Sequence, residues 1–203
     1  MYNMDITPAT RNLLFATNNQ RKVDEIKIIV GSLANVLSLK EAGIDIDIPE
    51  PFDTLEENAS VKSATIYQQF GFDCFSEDTG LEVDALQGAP GVKSARYAQG
   101  DDRFTNNTDK LLYHLTNFTN RSARFRTIIS LLINGQETRF EGVCHGHITT
   151  QKTGTSGFGY DPVFVPAGAN KTFAQMTPAE KNTFSHRQKA TLLMLAFLSK
   201  SGK

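Results

Sequence analysis

Residues 75–97 read FSEDTGLEVDALQGAPGVKSARY. An apolar segment, Asp73 to Ser76, supplies a strand that runs into the acidic pair Glu77-Asp78 and a small hydroxyl residue, Thr79. Leu81-Glu82-Val83-Asp84 alternates again as a short edge strand, Gly88-Ala89-Pro90-Gly91 is a turn, and Ser94-Ala95-Arg96-Tyr97 starts a brief helix. Acidic side chains delivered at the end of a buried segment are costly unless a metal or catalytic role holds them there, so chemistry is expected at this point of the chain.

Toward the amino terminus, Leu13, Leu14 and Phe15 form a short apolar run that ends at Ala16-Thr17-Asn18-Asn19, after which Val23, Ile26, Ile29 and Val30 recur at helical spacing. This strand, polar turn and helix is a join common in α/β proteins. The free amides at such a helix start receive anions, and Lys22 adds a full positive charge there. Ile44 to Ile48 alternates apolar residues with aspartate and reads as a short exposed strand leading to Pro49-Glu50-Pro51. Thr54-Leu55-Glu56-Glu57 has the capping-box form, which predicts a helix from about Leu55 to Phe70. On it Asn58 and Lys62 share a face, Val61 and Ala64 point toward the core, and a lone lysine such as Lys62 faces solvent by default.

Toward the carboxyl terminus, Gly100 to Thr108 is a polar loop, and Leu111, Leu112, Leu115 and Phe118 recur on one stripe of a further helix. Phe125 to Ile133 and Glu137 to Ile148 read as strands joined by the hairpin signal Asn134-Gly135. His145 and His147 share a face at period two, but no clear third ligand lies near them, so they read as structural or hydrogen-bonding residues rather than a metal site. Gly154 to Pro162, GTSGFGYDP, is a Gly-rich loop without the spacing or the Gly-Lys-Ser/Thr ending of a Walker loop. Its glycines let the backbone approach a ligand; Phe158 or Tyr160 either stacks on a base or serves as a packing anchor, and Asp161 either accepts from a base or orders basic residues. Thr177-Pro178-Ala179-Glu180 is a second capping box, and Ser185 starts the last helix, where Leu192, Leu193, Leu195, Ala196 and Leu198 make a broad apolar face. His186 and Arg187 then occupy its first turn, where cations lose the macrodipole benefit, which points to an anionic or polar ligand.

The 203 residues are 39% hydrophobic, enough for one domain over 1–203 with a single core or two lobes sharing a sheet. With 21 basic and 22 acidic residues the net charge is −1, so no broad field attracts nucleic acid or anionic lipid. Cys74 and Cys144 sit in apolar contexts outside any CxxC pair and read as buried free thiols in a reducing compartment. The stretch MYNMDITPATRN has no apolar run and is not a signal peptide, and no segment approaches the roughly 20 apolar residues of a membrane span, so a cytoplasmic protein is expected.

Among the carboxylates Glu50, Glu56, Glu57, Glu77 and Asp78, a few around a magnesium ion would bind a triphosphate whose remaining charge meets Lys22, Lys62, Lys181 and Arg187. That arrangement supports phosphoryl or nucleotidyl chemistry.

Taken together, Ala16-Thr17-Asn18-Asn19-Gln20-Arg21-Lys22, Glu57-Asn58-Ala59 with Lys62, Glu77-Asp78-Thr79-Gly80-Leu81, Gly88-Ala89-Pro90-Gly91 with Ser94-Ala95-Arg96-Tyr97, Gly157-Phe158-Gly159-Tyr160-Asp161-Pro162 and Ser185-His186-Arg187 run in the order of one family. The chain resembles the inosine triphosphate pyrophosphatases, which remove non-standard purine nucleoside triphosphates from the nucleotide pool. The resemblance implies an α/β fold with a mixed central sheet flanked by helices, two lobes around a substrate cleft and a homodimer. It implies magnesium-dependent hydrolysis of inosine and xanthine triphosphates, ribo or deoxy, to the monophosphate and pyrophosphate. By the same resemblance Thr17, Asn18, Asn19, Gln20, Arg21 and Lys22 bind the phosphate end, with Lys62, Thr79 and Lys181 as further contacts. Phe158, Gly159, Tyr160, Asp161, His186 and Arg187 bind the base end. Glu50 and Asp78 hold magnesium with Glu77 in support, and Asp78, Lys22 and Lys62 carry the catalysis, Asp78 as a metal ligand or as the acceptor of the water proton. Two departures are Asn19-Gln20-Arg21, where many relatives have a small residue or glycine before the lysine, and Thr79, where serine is frequent.

Overall fold

The structure, a computed structural model, describes residues 12–201. The stretch read above as lacking a signal peptide lies almost entirely outside them. In chain order the elements are β1 (Asn12–Phe15), α1 (Gln20–Val30), β2 (Asn35–Ser38), α2 (Leu55–Phe70), β3 (Cys74–Val83), β4 (Pro90–Gly91), α3 (Asn107–His114), β5 (Ser122–Ile133), β6 (Gln136–Ile148), β7 (Phe164–Pro166), α4 (Pro178–Phe184) and α5 (His186–Ser201). The strands form one mixed sheet in the order β2-β1-β3-β5-β6-β7, with β4 paired to β3. β1 runs parallel to β2 and β3, while β5 is antiparallel to β3 and β6.

The period of two along β3 sorts the layers. Phe75 and Glu77 face the side covered by α1 and α5, where Val23, Ile26, Ala190 and Met194 pack with Phe15, Phe75 and Ile129. Cys74, Ser76 and Asp78 face α2: the Ser76 hydroxyl donates to Ala59 O and the Cys74 thiol to Ser63 O. Farther along, Leu81 and Val83 join a second core with Leu111, Phe125, Phe164 and Phe173. The long central strands therefore run from one core to the other.

Local sequence explains the ends of the elements. Asn19, Thr54, Asn106 and Thr177 each cap a helix with a side-chain oxygen. Asn134 and Gly135, both at positive φ (49° and 76°), make the tight turn of the β5–β6 hairpin that the Asn-Gly pair predicts.

Several expectations need correction. Ile44 to Ile48 keeps its alternating burial but pairs with nothing as a strand. Leu81–Val83 is the continuation of β3 and pairs with β5 throughout, so it is not a separate edge strand. On α2 the covered face carries Leu55, Asn58, Lys62 and Ile66, and Val61 and Ala64 are only partly covered; Lys62, expected in solvent, is 7% exposed. Phe118 is exposed beyond the end of α3. On α5 Leu192, Leu193 and Ala196 are exposed; Leu195 and Leu198 are partly buried against the core as expected, and the sheet also receives Ala190, Thr191 and Met194. His145 and His147 stand in solvent on β6.

Candidate active site

The parallel arrangement of β1 and β3 puts the β1–α1 turn beside the middle of β3, and a cavity of about 700 Å³ opens there. Thr17, Asn18, Asn19 and Lys22 line it from the β1–α1 turn, Glu50, Lys62, Asp78 and Thr79 from the segment before α2, from α2 and from β3, and Phe158, Asp161, Lys181, His186 and Arg187 from the Gly-rich loop, α4 and the start of α5. Gly159 and Tyr160 also border it. Gln20 and Arg21 do not: the Gln20 amide donates to Asp24 at 2.8 Å, and Arg21 is exposed with its guanidinium carbon 5.9 Å from the Phe158 ring centre.

At the start of α1 the Asn19 side chain caps the helix, accepting from Lys22 N at 3.3 Å, and Asn18 Nδ2 donates to Ile46 O at 2.8 Å. Lys22 Nζ lies 3.2 Å from Glu77 Oε1. Burial, aided by the neighbouring Lys62 and Arg187, lowers the Lys22 pKa despite Glu77.

The two acids of the pair have different partners because adjacent strand residues face opposite ways. Glu77 is fully enclosed, and the Arg187 guanidinium meets it through two bonds of 2.8 Å. Burial alone would raise its pKa, but Arg187 and Lys22 outweigh that and hold the carboxyl far below the usual range. Asp78 Oδ1 lies 3.3 Å from Lys62 Nζ, which itself sits 2.7 Å from Glu50 Oε1. The second Asp78 oxygen, Oδ2, is buried with no hydrogen-bond partner. Burial pushes the Asp78 pKa up against the pull of Lys62, and the Glu50 charge adds to the rise. At Glu50 the order of outcomes reverses: burial raises, but the Lys62 charge and the bonds from Lys62 and Arg96 bring it below its ordinary value. Thr79 Oγ1 shares a 2.7 Å bond with Thr127 Oγ1.

In the Gly-rich loop Asp161 Oδ2 accepts from Phe158 N at 2.9 Å and from Lys181 Nζ at 2.8 Å, so Asp161 sets both the loop and a lysine. Lys181 also pairs with Glu25 at 2.8 Å, and Glu25 reaches Arg187. Glu25 and Phe125 carry no signal in the sequence, and Arg96 stands there only within the motif Ser94-Ala95-Arg96-Tyr97 with no site role; a glutamate three residues after Lys22 on a helix looks like an ordinary surface residue until α5 is laid against α1. The anion that Arg187 was expected to seek is thus, among the described residues, Glu77 and Glu25. The His186 ring stacks on Phe125 with centres 4.7 Å apart and planes 12° apart, and its Nδ1 is buried without a partner. Burial, with Arg187 and Lys181, drives the His186 pKa well below its usual value, so the ring is neutral at neutral pH. Tyr160 is an anchor: its ring is buried and its hydroxyl donates to Ser94 O at 3.0 Å.

Gly142 fixes the height of α5. A Cβ at this position of β6 would lie 2.0 Å from His186 O and 2.6 Å from Ala190 N. Gly142→Ala is therefore expected to lift the first turn of α5 and cost about 1–3 kcal/mol, read as a lowered denaturant midpoint; an unchanged midpoint would contradict this packing.

Among the described residues no three His, Cys, Asp or Glu side chains gather as a metal cage. Magnesium needs less, often one or two carboxylates with phosphate and water completing the shell. The unpartnered Asp78 oxygen, with Glu50 held on the same lysine, fits that smaller demand.

The profile of the Ham1 family matches residues 13–197, which takes in every element that lines the cavity. The chain belongs to the Ham1 family. This Ham1 chain is 46% identical over 187 residues to the dITP/XTP pyrophosphatase of Flavobacterium johnsoniae, covering 92% of this chain and 97% of the relative. It is 44% identical to the protein of the same description from Porphyromonas gingivalis, covering 92% of this chain and 96% of that one. Its fold matches the Ham1 protein of Staphylococcus aureus with a TM-score of 0.82 at 37% identity, covering 94% of this chain and all of the other. The HAM1 protein of Coxiella burnetii gives 0.84 at 31% identity over the same share of this chain, and likewise all of the other.

Proposed function

We propose that this chain hydrolyses non-standard purine nucleoside triphosphates, those of inosine and xanthine, to the monophosphate and pyrophosphate. The observation that carries the reading is the acid–lysine–acid group Glu50, Lys62 and Asp78, with one Asp78 oxygen unpartnered, in the same cavity as the α1 amino terminus and Lys22. A magnesium ion held by Glu50 and Asp78, with Glu77 behind them, would polarise the α-phosphate and acidify a water. Lys22 and Lys62 offset charge on the polyphosphate as the bond from the α-phosphorus to its bridging oxygen breaks and pyrophosphate leaves with the electron pair. The proton of the attacking water goes to Asp78 where Asp78 is the base. The α1 amides and Thr17 orient the phosphate tail, and Phe158 and the neutral His186 face the base.

Specificity follows from the purine 6 position. A pocket that donates to a 6-oxygen leaves adenine's amino group against a donor, a mismatch costing roughly 1–3 kcal/mol, or about 5- to 150-fold. Product analysis with inosine, xanthine and adenosine triphosphates is the test: pyrophosphate and monophosphate are expected from the first two in a chelator-sensitive reaction. Equal rates with adenosine triphosphate would remove the claimed specificity. The same reading makes the protein a homodimer of the cytoplasm, which sedimentation and fractionation address. No helix among the described residues is long and apolar enough to cross a membrane.

A further inference from the structure

Between β2 and α2, residues 45–54 contain neither helix nor strand, yet Asp47, Ile48, Pro49 and Glu50 wall the cavity. Backbone without a ladder must have its polar groups met one at a time. Side chains from three separate elements do this. Asn18 donates to Ile46 O at 2.8 Å; Asn58 donates to Phe52 O and accepts from Phe52 N, both at 3.0 Å; and Arg96 Nη2 donates to Glu50 O at 3.2 Å.

Arg96 differs from the other two in also taking the side chain of the residue it holds. Its Nη1 lies 3.1 Å from Glu50 Oε2, while Glu50 Oε1 takes Lys62. One planar fork thereby fixes a carbonyl and a carboxylate together, which the point charge of a lysine cannot reproduce. Arg96 stands on a short 3-10 turn, Ser94–Arg96, that is itself fastened down. Ser94 Oγ accepts from Leu81 N of β3 at 2.8 Å and donates to Gly91 O at 2.6 Å, and Asn107 donates to Ser94 O and Ala95 O at 3.1 and 2.9 Å.

We propose that Arg96 is a positioning residue that carries the rigidity of β3 into the irregular wall segment and aims the Glu50 carboxylate at the Lys62–Asp78 pair. Its importance to the reaction rests on the reading of Glu50 and Asp78 as the magnesium-holding acids; its hold on the segment does not. Without the guanidinium, Glu50 O loses its donor, the carboxylate keeps only Lys62, and the segment between Ile46 and Phe52 is tied only at its two ends.

The test uses the full chain with Arg96→Ala and Arg96→Lys. In hydrogen exchange of the metal-free, substrate-free protein, Arg96→Ala is expected to speed exchange in peptides covering 45–53 and to leave β5 unchanged, with Arg96→Lys between it and the parent. In magnesium titrations with inosine triphosphate, the half-saturating magnesium concentration is expected to rise about 10-fold or more, with kcat at saturating magnesium near the parent value. Unchanged exchange over 45–53 in Arg96→Ala overturns the proposal, and if it comes with a raised KM at saturating magnesium, Arg96 touches the polyphosphate instead. A parent that turns over none of the three nucleotides overturns the proposed function, while the exchange experiment still decides whether Arg96 holds the segment.

Discussion

Asp78→Asn is expected to cut hydrolysis of inosine triphosphate about 10²- to 10⁴-fold, in the range of a lost acid–base group, while leaving the protein at least as stable as the parent. The first half follows from the proposed chemistry: asparagine keeps the size of the side chain but can neither accept the water proton nor present an anionic oxygen where Oδ2 stands unpartnered. The second half follows from burial. Because burial raises the folded-state pKa of Asp78, the unfolded chain ionises at lower pH than the folded one. Stability is then lost as pH rises from the unfolded value to the folded one, and stays lost above it. Asparagine never ionises and escapes that loss, against which stands only the 3.3 Å contact with Lys62. Rate and thermal midpoint measured on the same samples separate the two effects. A variant that keeps parental turnover ends the role given to Asp78, whereas a large fall in midpoint would mean that the Lys62 contact outweighs burial.

Glu77→Gln is expected to act in the opposite way, by damaging the fold. Glu77 is wholly enclosed and is the bidentate partner of Arg187, which is also buried. Removing one side of a buried pair leaves the other charge without full compensation, typically at about 3–5 kcal/mol, or roughly 6–20 °C in the melting midpoint for a domain of this size. Glu25 still touches Arg187 and places the expected loss toward the lower end. The pH dependence checks the sign. A carboxyl depressed in the folded state contributes stability that is whole above its unfolded value, near 4.5, and is lost as pH falls below that. The gap in midpoint between parent and variant should therefore narrow on acidification from pH 4.5 downward. A gap independent of pH would assign the loss to packing and not to charge.

Much of the molecule was legible in the sequence because it is set by local chemistry. The Thr54 cap, whose hydroxyl and not its backbone N–H meets the Glu57 carboxylate, the full capping box at Thr177, the Asn134-Gly135 turn and the run into Glu77-Asp78 each depend on residues within a few positions of one another. Errors arose where distant segments decide the environment. The alternation at Ile44–Ile48 is real in burial, but strand formation needs a neighbouring edge, and here the Asn18 amide meets Ile46 O in place of a ladder, with Arg96 and Asn58 holding Glu50 and Phe52 farther on. Lys62 looks like a surface lysine on a helix until β3 brings Asp78 beneath it. The apolar run on α5 does not show which side meets the sheet; that is decided by Gly142, whose lack of a side chain admits the turn at His186 and Ala190. Glu25 and Phe125 were invisible for the same reason, since each matters only through a residue more than 60 positions away.

The opposite facing of Glu77 and Asp78 also limits how β3 can change over time. Deleting or inserting one residue between Cys74 and Ser76 would send the Glu77 carboxylate toward α2 and the Asp78 carboxylate into the Arg187 enclosure, exchanging two incompatible environments in one event. In descendants of this chain β3 is therefore expected to vary only by replacement at fixed length.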